Sequence, residues 1–161
     1  MSFDSVRPVQ VDDSSRKSVA DISSGVIGWM SLPRRELIRV DFTSGTDLRS
    51  MVVQGGDILS LHSYFCDGEN PRRNVGDPGV YVELANANVE THVKQFLFFI
   101  DVTRTASPGS IPPEPGFDLS VQAEDICFYV TASSKVTGYT SEVARIPKAA
   151  MEQAFVGRQA R

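Results

Sequence analysis

Cysteine and histidine are scarce in this chain, and tryptophan occurs once: Cys66 and Cys127, His62 and His92, Trp29. Two cysteines cannot build a disulfide framework, and alone they cannot complete a four-ligand structural zinc site. They are expected as two free, buried or half-buried thiols in a reducing setting. Long apolar runs are lacking too; none approaches the roughly 20 residues of a membrane-crossing helix. The opening stretch MSFDSVRPVQVDDSSRKS is polar and has no secretory apolar segment, so a cytoplasmic location is expected. Positive charge is not in excess. Sixteen Lys and Arg against twenty Asp and Glu leave a net charge of −4, which gives no general attraction to nucleic acid.

What is present describes one globular domain. The 161 residues are 41% apolar, enough for a core and short for two domains. Residues 1–24 are rich in Ser and Asp, and their acidic and basic residues balance, so they read as an extended arm that contacts protein rather than phosphate. Turn residues then punctuate the chain every few positions. Strands are expected at about 37–42, 47–53 (DLRSMVV), 58–65, 80–84, 92–102, 117–121 and 126–132. In 58–65, Leu59, Leu61 and Phe65 share one face, and Ile58, His62 and Tyr64 the other. A short helix is expected to start near Pro147, a residue suited to a first turn. Short strands without a sustained helical period predict an all-β, antiparallel β-sandwich of jelly-roll type. The expected divisions are an arm over 1–24, a sandwich over 25–146 and a tail over 147–161.

The run HVKQFLFFIDV, 92–102, is apolar on both faces, whereas a strand with one wet face alternates. Val93, Leu97 and Phe99 are expected to line the core. Phe96, Phe98 and Ile100 then need a second layer, either the flank of the other sheet or a neighbouring subunit; with Trp29 they are the candidate interface.

Candidate chemistry is sparse. Neither histidine lies in a nucleophile motif. His62 and Cys66 are four residues apart, about 13 Å along a strand, too far to share a metal without a bend. Asp67, Glu69, Asn70 and Asp77 place oxygen ligands in one polar loop, as a hard cation requires, but Arg72 and Arg73 interrupt them and the spacing is not that of an EF-hand. They are a weak metal candidate beside the simpler reading of a solvated loop. Glu124 and Asp125 are adjacent, so on a strand they would point to opposite faces, a poor acid/base pair. No catalytic set and no cofactor is expected.

Two stretches carry a resemblance. SVADISSGVIGWMSLPRRELIRVDF resembles the lead-in to the jelly roll of picorna-like virus capsid proteins, where a polar arm and a short apolar segment run through arginines into the first strand. FDLSVQAEDICFYV is similar to the final strand of such proteins. The resemblance implies a structural shell component within a virion, whose partners are other copies of itself or related subunits, without membrane or direct nucleic-acid contact. The alternative from the sandwich pattern is a module that binds a carbohydrate or calcium.

Overall fold

The computed structural model describes residues 1–23, 28–29, 35–66, 75–76, 78–83, 94–109, 116–134 and 138–156. Two antiparallel sheets face one another across an apolar core. The first has six strands in the order β1 (Ser2–Gln10), β4 (Glu36–Thr43), β7 (Gln95–Asp101), β6 (Tyr81–Glu83), β2 (Val19–Asp21), β3 (Gly28–Trp29). The second is centred on β10 (Ile126–Ser133). It pairs with β5 (Ile58–Phe65) along its length on one side, and with β11 (Gly138–Thr140) and β12 (Ala144–Ile146) on the other. Strands β8 (Thr103–Arg104) and β9 (Phe117–Asp118) form a separate small pair. The all-β sandwich expected from the sequence is the observed fold, with a short C-terminal helix.

The N-terminal segment belongs to the sandwich. Ser2–Gln10 is the outermost strand of the six-stranded sheet, paired with β4 from Ser2↔Thr43 to Gln10↔Glu36. Pro8 can donate nothing to a ladder, and an edge strand is where a proline is tolerated. The division at residue 24 is therefore corrected: β1 and β2 are both strands of the domain.

The two faces of β7 are the reverse of the sequence expectation. Phe96, Phe98 and Ile100 point into the space between the sheets and are 2%, 0% and 0% exposed. Phe98 lies 4.9 Å from Phe128 of the other sheet, ring centre to ring centre, and Phe42 packs on Phe96, Phe98 and Phe128 at 5.4–5.9 Å. These side chains are core, so Phe96, Phe98 and Ile100 are not available as an interface. The sequence could not distinguish the faces because both are apolar.

The opposite face of β7 is covered by the chain itself. Strands β1 and β2 lie on either side of β4, β7 and β6, so their connection must cross all three. It carries α1 (Asp13–Ser18) and Val11. Val11, Val19, Leu37, Tyr81, Leu97 and Phe99 form a second apolar cluster, each 4% exposed or less. Tyr81 packs edge-on to Phe99 at 5.2 Å. The crossover supplies the second cover that β7 needs.

Residues 47–53, expected as a strand, form helix α2 (Leu48–Val53) instead. The Asp47 side chain accepts from the Ser50 amide at 3.0 Å, satisfying a first-turn donor. The helix is followed by Gly56, whose φ of 67° is a conformation that glycine adopts without strain. Leu48 and Val52, four apart, are buried beneath it. Local capping overrides the β-forming valines here.

One edge of the sandwich is stitched. The Val75 amide donates to Ser63 of β5, the Asp101 amide to Val75, and the Leu61 amide to Pro78. Val75 and Pro78, with Ser23 accepting from the Leu59 amide, thus bond along the free edge of β5, and Gly76 pairs with Ile100 of β7. That edge is closed to strand addition. A Cβ at Gly76 would stand 2.4 Å from the Phe99 carbonyl oxygen.

Cys66 and Cys127 are joined in a disulfide, with Cα atoms 5.2 Å apart. This corrects the expectation of two free thiols, and a disulfide is the chemistry of an oxidising setting rather than a reducing one. The pair was hidden because 61 positions separate the cysteines, and only the β5–β10 register brings them together.

Two outcomes are expected from urea denaturation. Cys66→Ser combined with Cys127→Ser should fold and lose about 2–4 kcal/mol, because the bridge closes a long loop in the unfolded chain. Gly76→Ala should lose about 1–3 kcal/mol through overpacking against backbone.

Candidate interaction face

The outer surface of the four-stranded sheet has no crossover over it among the described residues. Alternation along β5 and β10 turns Ile58, Ser60, His62 and Tyr64 outward from one strand and Cys127, Tyr129, Thr131 and Ser133 from the other. None of these eight is an acid, a lysine or an arginine. The register sets His62 opposite Tyr129, Tyr64 opposite Cys127, and Ser60 opposite Thr131.

The cross-strand pairs order the rings. His62 stacks on Tyr129 with centres 4.7 Å apart and planes at 15°, and Tyr64 meets Tyr129 edge-on at 6.2 Å. His62 Nε2 lies 3.0 Å from Thr131 Oγ1, and the Thr131 hydroxyl donates to the Ser60 carbonyl at 3.4 Å. The aromatic side chains are half-buried, while Ile58 is 58% exposed. Val143, next to Ala144, which pairs with inward-facing Phe128, is 56% exposed.

Beside the disulfide the face falls into a cleft of about 440 Å³ lined by Cys66, Gln122, Glu124, Asp125, Arg145 and Lys148. Asp125 organises it. Its carboxylate pairs with Arg145 and accepts from the Lys148 amide at 2.6 Å. That second bond caps helix α3 (Lys148–Phe155), whose preceding Pro147 makes no side-chain cap. Met151 and Phe155 then anchor α3 in the core, 0% and 4% exposed. The Arg145 hydrogen bond, followed by the Lys148 amide, holds the Asp125 carboxyl below the ordinary aspartate range. Glu124 and Asp125 precede β10 rather than lying in it, and both line the cleft; Asp125 is engaged in holding α3.

The remaining candidates are dispersed. Asp67, Glu69, Asn70 and Asp77 lie outside the described residues, as do His92, Val93 and the side chain of Trp29; the Trp29 backbone pairs with Ala20. Among the described residues no group of three His, Cys, Asp or Glu could hold a metal ion. No described helix is long and apolar enough to cross a membrane. Arg35 meets a carboxylate: it pairs with Asp101 at 2.9 Å, which also holds Arg104 at 2.6 Å. On the outer face of the six-stranded sheet, Arg39 bridges Asp41 at 2.6 Å and Glu83 at 2.5 Å. Burial opposes its charge, but the two carboxylates more than compensate and raise its pKa.

The aromatic face was half legible in the sequence. Alternation groups His62 with Tyr64; only strand pairing brings Tyr129 beside them. No protein-family model, curated protein or solved structure matches the chain.

Asp125→Asn should destabilise the protein at neutral pH by about 0.5 kcal/mol, the scale of a partly exposed ion pair, because the Asn oxygen still accepts from the Lys148 amide while the charge toward Arg145 is lost. Because the folded pKa is depressed, the wild-type advantage is complete above the ordinary aspartate value of about 3.8 and is lost as pH falls through the lower folded value. Urea midpoints of both proteins across that range should converge in acid.

Proposed function

We propose that this chain is a structural, assembly-forming β-sandwich, a subunit of a protein shell of the viral-capsid kind. The supporting observation is the outer face of β5 and β10. The six-stranded sheet hides its apolar outer residues under its own crossover, whereas this face presents His62, Tyr64, Tyr129, Ile58 and Val143 without one. Tyrosine-rich surface is typical of the centre of protein interfaces, and here Arg145, opposite Cys127, places a charge at the β12 margin. A second copy is the occupant that fits. Each copy carries a net charge of −4, so two copies approach most favourably through the uncharged centre formed by the outward residues of β5 and β10. The sequence resemblance to capsid jelly rolls points the same way, and the association surface moves from β7 to the opposite sheet.

A second reading has one observation in its favour. Rings and hydroxyls alternate on this face, Tyr64 and Tyr129 beside Ser60 and Thr131, the mixture that a carbohydrate surface requires.

The native mass across a concentration series separates the two. Assembly predicts a mass above that of one chain, and Tyr129→Glu should shift it to that of one chain while circular dichroism stays unchanged. A wild-type protein that remains a monomer at high micromolar concentration contradicts assembly. A monomer retained on a glycan array, and released from it by Tyr129→Ala, would establish the carbohydrate reading instead.

A further inference from the structure

We propose that the Cys66–Cys127 disulfide is a site of thiol–disulfide exchange that small thiols reach in the folded protein, with Cys66 the sulfur attacked and Cys127 the leaving group. Both cysteines are partly exposed, and they lie at the end of the open face rather than in the core. The two sulfurs are not equivalent. Cys66 lines the cleft of about 440 Å³, which gives a small thiol room to approach it. Cys127 sits on the central strand, directly opposite Arg145 of β12.

That placement sets the direction of the reaction. Exchange is fastest when the departing thiolate is stabilised. Arg145 is shared with Asp125, yet it remains the cation in register with Cys127. The incoming thiolate bonds to Cys66 Sγ and the Cys66–Cys127 bond breaks. Its electron pair leaves on Cys127 Sγ, on the strand position paired with Arg145, and that sulfur takes a proton from water. A second small thiol then attacks the mixed disulfide at the small molecule's sulfur. This releases Cys66 as a thiol and carries off the two small thiols joined as their own disulfide. One protein disulfide and two small thiols become two protein thiols and one small disulfide.

The fold survives the step. Strands β5 and β10 are held by a ladder from Ile126↔Phe65 to Ser133↔Ile58, and the Cys66 amide donates to the Asp125 carbonyl at 3.0 Å. The two thiols therefore stay adjacent and can close again under an oxidant such as a small disulfide.

The test uses the full chain in reduced glutathione without denaturant, quenched with an alkylating agent and mapped by peptide mass. The proposal expects glutathione on Cys66, the alkyl group on Cys127, and a rate that does not rise in urea below the unfolding transition. Arg145→Gln should slow exchange about threefold, the response of a leaving thiolate to one lost neighbouring positive charge, and Arg145→Lys should restore most of it. Exchange that appears only as the protein unfolds would overturn the proposal, as would glutathione on Cys127 or equal rates in all three proteins.

Discussion

Phe98 reaches across the sandwich to Phe128 at 4.9 Å, and Phe42 touches both. This aromatic contact ties β4 and β7 of one sheet to β10 of the other, and the remaining elements are arranged around it. Leu59, Leu61 and Phe65 fill the space on the β5 side, and Met151 and Phe155 of α3 close another part of the same core. Burying large rings at a few percent exposure or less yields about 1.5–3 kcal/mol each, so this contact carries a large share of the stability. It also demands that β7 present phenylalanines inward, which leaves Leu97 and Phe99 outward and in need of cover.

That need explains the N-terminal region. A chain that crosses three strands between β1 and β2 orders residues that form few apolar contacts of their own. The cover given to Leu97, Phe99 and Tyr81 offsets that cost. The edges follow similar logic: Pro8 lies in the outermost strand, and Val75 and Pro78 are bonded to β5. Ser63 Oγ is buried there with no hydrogen-bond partner among the described residues. A lone hydroxyl in a stitched edge costs roughly 1–3 kcal/mol, a local conflict that the surrounding ladder tolerates. Among the described residues, the outer face of β5 and β10 is not crossed by such a connection, and its eight outward residues carry no acid, lysine or arginine.

The sequence revealed most where its signals were local. Alternation located Glu36–Thr43, Ile58–Phe65 and Ile126–Ser133, and Pro147 marked the start of α3. It failed where the answer lay in pairing. Which face of β7 is inward depends on Phe128, thirty residues away, and the disulfide depends on a register that no cysteine spacing encodes. In DLRSMVV the valines suggested a strand, but Asp47 capping Ser50 settled a helix. Of the aromatic face only His62 with Tyr64 was visible, until the ladder placed His62 against Tyr129.

The central claim is that one chain covers both faces of β7 without help from a second. Amide hydrogen exchange at Leu97, Phe98 and Phe99, followed over a wide range of protein concentration, tests it most directly. Self-coverage predicts strong protection of all three amides, unchanged down to concentrations where only single chains exist. Protection that fades on dilution would contradict it, showing that a neighbouring molecule and not the crossover at Val11 shields the strand.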